Sequence, residues 1–317
     1  MLNSEALIGN PIVIYIWKYK MKKLFKLFVV ILLCNAGSLL AQKDFSAYKF
    51  DSTKTYAIET IDDTRFIGKF QGKESGSVVL KTMSGTEIKI PIKNIKSIEE
   101  VKPSQLKDGE YWFQNPHAER YFLGNSAIPL DAGEGYYQNI WILLNTFNVG
   151  ISDFMSIGGG FELLSAFGTG NAIFFVTPKA GFKIVDKFHA GVGALYVSVP
   201  NFANDRSTFG SLYAIGIYGS HDHNITGGLG WGFVEGEFVK HPMINISGMT
   251  RIRKNFALIS ENWILPLDAE GNQNMLLSYG VRFFGENISV DLAFINNRHI
   301  VQMIFIGIPY VDFVVKF

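Results

Sequence analysis

From Tyr136 to Phe317 the chain repeatedly alternates apolar and small or polar residues, which constrains its fold more than any other feature. Phe174, Val176, Ala180, Phe182 and Ile184 share one face of a run, and Thr177, Lys179, Gly181 and Lys183 share the other. Leu277, Tyr279, Val281 and Phe283 oppose Ser278, Gly280 and Arg282. Ile288, Val290, Leu292 and Phe294 oppose Asn287, Ser289 and Asp291. A period of two is the β-strand signal, because successive strand side chains point to opposite faces. Polar turn residues precede new runs at Asp153, Lys187, His223, Asn255 and Glu286, so one supersecondary unit is reused. Half of that repeat, less a turn, leaves about 10 to 13 residues per strand, close to what a tilted strand needs to cross a bilayer.

Turn chemistry suggests registers. Pairing Phe284 with Asn287 leaves a Gly285-Glu286 turn, and Gly in first place suits type II′. Arg282 then sits opposite Ser289 and diagonal to Asp291. Pairing Ile184 with Phe188 keeps apolar faces together. Tyr136–Val149 and Phe256–Leu265 carry polar residues on both faces, and the pattern does not assign their sides.

Alternation alone does not say which face is inside. A soluble barrel is apolar within, and a membrane barrel is apolar without. Charged residues make up only 18% of the chain, below the usual quarter. The faces opposite the aromatics carry Gly, Ser, Lys and Arg, as a wetted lumen would. Both points favour an apolar exterior, with Glu162, Lys179, Lys183, Arg282 and Asp291 as charged residues facing the lumen. Arg251 and Arg253 join them near one rim. Tyr136, Tyr137, Trp141, Tyr196, Tyr213, Tyr218, Trp231, Trp263 and Tyr310 are candidates for interfacial girdles.

Val311, Phe313, Val315 and Phe317 alternate up to the last residue. This stretch resembles the C-terminal assembly signal of Gram-negative outer-membrane β-barrel proteins, the porin-like family. The resemblance implies an all-β fold, a transmembrane antiparallel up-and-down β-barrel of about twelve strands. It also implies outer-membrane lipid and the barrel-assembly machinery as partners, and the cell outer membrane as location. His117 to Ala127, with Tyr121-Phe122-Leu123 at its centre, reads as the first strand. Short turns near Asp153, Asp186, Asp222, Lys254 and Glu286 are then periplasmic, and only modestly longer loops lie opposite, at 128–135, 167–171, 200–207, 236–241, 267–273 and 297–299.

Residues 1–41 read as a leader and signal peptide. A basic stretch opens at Met21, the expected true start, an apolar core follows, and Ala41 closes the segment. The lone cysteine, Cys34, falls inside it. Residues 50–101 form a second, more charged region of about five short strands, 102–116 read as a linker, and 117–317 as the barrel. In 50–101 an acidic turn, Asp62-Asp63, precedes a strand carrying Gly68. That arrangement resembles SH3-like and Sm-like domains, and after an export signal it implies a periplasmic domain able to meet a periplasmic protein partner.

The formal charge of +1 gives no attraction for nucleic acid. His221-Asp222-His223 reads as a solvated turn, and Gly158-Gly159-Gly160 lacks the Gly-Lys-Ser/Thr of a phosphate loop. His189 lies on the polar face of its run and reads as a wetted lumen histidine. No catalytic, cofactor or metal constellation stands out, so no cofactor and no enzymatic activity is expected. Two functional readings remain open: a passive channel for small solutes, or a non-conducting barrel that anchors or scaffolds an envelope complex through its small domain.

Overall fold

The computed structural model describes residues 45–107, 109–168, 172–200, 206–266 and 274–317. The leader, the start at Met21 and Cys34 lie outside these described residues. The chain divides into two compact units, Met1–Tyr111 and Trp112–Phe317.

The first unit holds β1 (Thr55–Thr60), β2 (Arg65–Glu74), β3 (Ser77–Thr82), β4 (Glu87–Pro91) and β5 (Ile95–Val101). They form one antiparallel sheet in the order β4-β3-β2-β1-β5. The register of β2 slips between Phe70 and Gly72, a bulge that lets a ten-residue strand bend. Any side chain at Gly68 would run into the Lys81 carbonyl across the sheet, so only glycine allows this approach. Tyr56, Ile58, Val78, Leu80, Ile90 and Ile95 form the core, with Phe50 and Phe70 stacked at its edge. The hairpin of β6 (Leu106–Lys107) and β7 (Glu110–Tyr111) ends the unit.

The second unit is a closed antiparallel barrel. Its wall strands are β8 (Gly135–Ile140), β9 (Leu144–Ser152), β10 (Met155–Glu162), β11 (Phe174–Val185), β12 (Phe188–Pro200), β13 (Arg206–Gly219) and β14 (His223–Val234). After a two-residue side strand, β15 (Glu237–Phe238), come β16 (Met243–Arg253), β17 (Phe256–Ile264), β18 (Met275–Phe284), β19 (Ile288–Asn296) and β20 (Ile308–Lys316). Neighbours in sequence are neighbours in the wall, with β16 beside β14, and β20 closes on β8. The wall thus has twelve strands, the expected number with different members.

His117–Ala127 is not a wall strand. Its place in the count is taken by β8, because Tyr136–Val149 is a hairpin and not one strand. The turn between β8 and β9 is made by Trp141 and Ile142, both left-handed at φ 51° and 68°. Such turns normally use Asn-Gly, so an apolar pair gives no local signal. Two of the expected registers can be compared with the wall. Lys183 pairs with His189 and Phe182 with Ala190, the register expected there, with a bulge before Val185. Phe284 pairs with Ser289 instead of Asn287, so the turn is Glu286-Asn287 and Arg282 lies directly opposite Asp291.

One end of the wall, the turn end, has connections of two or three residues at Asp153-Phe154, Asp186-Lys187, Ser220–Asp222, Lys254-Asn255 and Glu286-Asn287. The opposite, loop end carries the tight Trp141-Ile142 turn and otherwise longer connections, including short helices at Leu163–Gly168 and Ile300–Met303. Residues 128–135 are not among those loops, because the chain enters β8 at the turn end.

The two faces of the wall differ in polarity. Val192, Leu212, Ile225, Ile246, Leu258 and Leu292 point outward and stay exposed. Thr226, Ser247, Glu261, Ser278, Arg282, Ser289 and Asp291 point inward and are buried. Outward aromatics lie toward both rims: Phe154, Phe182, Tyr218, Phe283 and Phe317 at the turn end, and Trp141, Phe174, Tyr196 and Trp231 toward the loop end. Tyr136, Tyr213, Trp263 and Tyr310 face inward and do not belong to a girdle. An apolar exterior around a polar interior is the order of a membrane-spanning barrel and the reverse of a soluble one. Placing a charge at Leu292→Arg should therefore cost about 2–4 kcal/mol. The measurement is the urea midpoint of the barrel refolded into lipid vesicles. An unchanged midpoint would mean that this face meets water.

Candidate functional site: a lumen occupied by residues 112–134

The interior of the barrel is not empty. The chain enters it at the turn end, climbs to a tight turn at Tyr121–Gly124, returns past Ile128, and leaves as β8. Backbone bonds close this internal hairpin: Tyr121 N–H donates to the Gly124 carbonyl at 2.8 Å and Ser126 N–H to the Glu119 carbonyl at 2.9 Å. His117, Ala118, Glu119, Arg120, Tyr121, Phe122, Ser126, Ala127 and Leu130 are all buried. Residues 112–116, expected to be linker, belong to the same unit, and Asn115 donates to the His221 carbonyl at 2.7 Å.

Inward charges of the wall hold this plug by its backbone. Arg282 makes a two-pronged pair with Asp291 at 2.7 and 2.8 Å, and donates to the carbonyls of His117 and Tyr121, each at 2.8 Å. Arg120, from the plug, reaches Asp291 at 3.1 Å and Asp312 at 3.0 Å. Lys179 donates to three plug carbonyls, those of Glu119, Ser126 and Ile128. Glu261 does the converse: its carboxylate accepts the N–H groups of Phe122, Leu123 and Gly124 at 2.8 to 2.9 Å, and also the Trp263 Nε1–H at 2.8 Å. Of the buried charges, Arg120 and Arg282 pair with Asp291 and Asp312, Arg251 pairs with Asp222, Lys179 is held by carbonyls and Glu261 by N–H groups. Charges withdrawn from water must find such partners, since an unpaired one costs several kcal/mol.

Small wall residues make room for the plug backbone. A side chain at Gly150 would strike the Asp131 carbonyl, and one at Gly181 the Ala127 carbonyl. Gly124 answers from the plug: a Cβ there would lie 2.9 Å from Glu261 Oε1 and 3.1 Å from Trp263. Where apolar residues meet, Ala118, Ala127 and Ile128 pack against Ile215 and Ile217.

The five charged residues expected to face the lumen separate into two groups. Lys179, Arg282 and Asp291 are inside and bind the plug. Glu162 and Lys183 do not reach the interior. Glu162 lies at the loop end and accepts the N–H groups of Leu164 and Ser165 at the start of a short helix. Lys183 is exposed at the turn end, 3.5 Å from Asp186. Arg253 is exposed as well. Arg251 is buried against Trp112, Phe113 and Phe284, and bonds Asp222 at 2.9 Å. Asp222 of His221-Asp222-His223 therefore fastens the foot of the plug to the turn end. His189 is half-buried at that same end, where its strand pairs with Lys183.

Glu261, Asp312 and Arg120 escaped the sequence reading. Glu261 lies in a strand whose faces the pattern left unassigned, and Asp312 lies opposite the apolar face of the C-terminal stretch. A signal was nonetheless present at Glu119-Arg120: adjacent charges fall on both faces of a strand, and one would have to face lipid. In that C-terminal stretch, Val311 and Phe313 face outward, and Phe317 pairs through its backbone with Gly135 at the closing seam. Among the described residues, no group of three His, Cys, Asp or Glu side chains comes together as a metal site.

The geometry makes Asp291 the joint acceptor of two arginines. Asp291→Ala should lower stability by about 3–5 kcal/mol, because it leaves Arg282 without its carboxylate in a dry interior, while Arg120 keeps Asp312. A fall of the urea unfolding midpoint by that equivalent is the expected result. A change below about 1 kcal/mol, the range of exposed pairs, would show the network to be solvated.

No protein-family model matches this chain, and no curated protein matches it. Among solved structures, a KdgM porin in complex with disordered oligogalacturonate is similar at a TM-score of 0.41 and 8% identity, covering 58% of this chain and 96% of that one. A NanC porin gives 0.38 and 9% identity, over 58% of this chain and 98% of that one. The outer-membrane-expressed OmpT of Vibrio cholerae gives 0.30 and 11% identity, over 83% and 93%.

Proposed function

We propose that this chain is an outer-membrane β-barrel for small solutes whose passage is controlled by residues 112–134. The observation that carries this reading is the inverted polarity of the closed wall: outward Leu, Ile and Val around an inward lining of Ser, Thr, Arg, Glu and Asp. The control differs from that of an open pore, because the interior is filled across its charged middle by the plug. The expected signal peptide in residues 1–41 and the C-terminal signal Val311, Phe313, Val315 and Phe317 agree with export and with reading by an assembly machinery. The five-stranded sheet of the first unit, with Gly68 in its bent second strand, agrees with an SH3-like or Sm-like periplasmic domain.

The second reading is a non-conducting barrel that anchors or scaffolds a complex through residues 50–101. The density of charge-assisted bonds on the plug favours it, since each must break before the lumen opens. Planar-bilayer recording separates the two. The proposal expects few openings from the native chain. It expects reproducible conductance steps from Glu261→Gln, which weakens the grip on three plug N–H groups. A quiet bilayer from well-folded native and Glu261→Gln proteins alike would leave the anchor.

A further inference from the structure

Above the plug the lumen changes character. A cavity of about 330 Å³ opens at the loop end, with Leu123, Gly124 and Asn125 of the plug tip as its floor. Its wall includes Leu195, Tyr213, Met243, Trp263 and Leu276 from the inward faces of five strands. None of these wall side chains is fully buried, and Leu123 of the floor is 50% exposed. Below the floor, the inward side chains are mostly polar or charged and grip the plug. A water-filled vestibule gains nothing from five large apolar side chains turned toward it, because such surface is hydrated at a cost.

The polar groups of the cup are few and neutral. Asn125 donates to the Tyr213 hydroxyl at 3.0 Å across the floor, Thr177 and Ser211 add hydroxyls, and Asn245 adds an amide to the lining. Glu261 lies beneath the plug tip, where its carboxylate is taken up by three backbone N–H groups and the Trp263 indole. Among the described residues that line the cup, none offers a counter-charge to an ionic ligand. A concave, mostly apolar site with a few convergent polar groups is the usual form of a small-molecule site. The volume is roughly twice the 150 Å³ that holds one benzene.

We infer that the loop end of the lumen is a binding cup for one small, uncharged, largely apolar molecule, about the size of a bicyclic aromatic, with a single hydrogen-bonding group. This names the solute class of the proposed channel and rests on that reading for its use, while the binding itself requires no conduction. The plug thereby has two roles, closing the charged middle of the barrel and supplying the floor on which the ligand sits.

Equilibrium dialysis of 1-naphthol against the full barrel in lipid nanodiscs tests it, with empty nanodiscs subtracted and glucose as a polar competitor. One saturable site per chain is expected, undisturbed by glucose. Leu276→Asp, which charges the wall, and Leu195→Trp, which fills the cup, should each weaken it at least tenfold. Heat-modifiable gel mobility verifies folding, and either variant suffices if the other fails to fold. Uptake that only follows the lipid, or saturable binding that both folded variants leave unchanged, overturns the cup. Saturable binding to a barrel that never conducts would overturn the channel reading and leave the cup standing. Conductance without saturable binding would do the reverse.

Discussion

The barrel depends on one constraint: charges inside a dry wall must be neutralised where they stand. Arg282 and Asp291 face each other on adjacent strands, and neither is complete with the other alone. Arg282 has donors left over after its two bonds to Asp291, and Asp291 has acceptor capacity left over after Arg282. The plug supplies both remainders, carbonyls for the arginine and Arg120 for the aspartate. The plug is in this sense part of the wall's electrostatics, and an empty lumen would leave those groups to water.

The same logic explains why backbone, more than side chain, is the plug's binding surface. A non-repetitive loop inside a barrel brings N–H and C=O groups with no ladder partner, and buried backbone groups must be paired. Lys179 and Arg282 take carbonyls, and Glu261 takes three consecutive N–H groups. Gly150 and Gly181 let the loop come close enough for these bonds. Charge, sterics and hydrogen bonding agree on one placement, which is how a loop without regular structure holds a fixed course.

Two environments therefore share one lumen. In the middle, ionic groups clamp the chain's own backbone. At the loop end, the inward face turns apolar. The boundary between them is the tip at Leu123–Asn125, where Glu261 is used up from below and Asn125 meets Tyr213 from above. None of the residues that line this cup is charged.

Period-two alternation determined the all-β class, the wall strands near Phe174–Val185 and Met275–Asn296, and the inward side of Lys179, Arg282 and Asp291. The reason is local: a strand shows its two faces in its own residues. Tertiary structure decided the rest. The Trp141-Ile142 turn is held by its place in the hairpin and against the wall's own propensity, so the sequence hid β8. The segment His117–Ala127 has strand-like residues but finds its hydrogen bonds inside the barrel, with partners more than a hundred residues away in Asn224, Glu261, Arg282 and Asp291. Those partners come together only when the wall closes, and no pattern along the chain carries that distance.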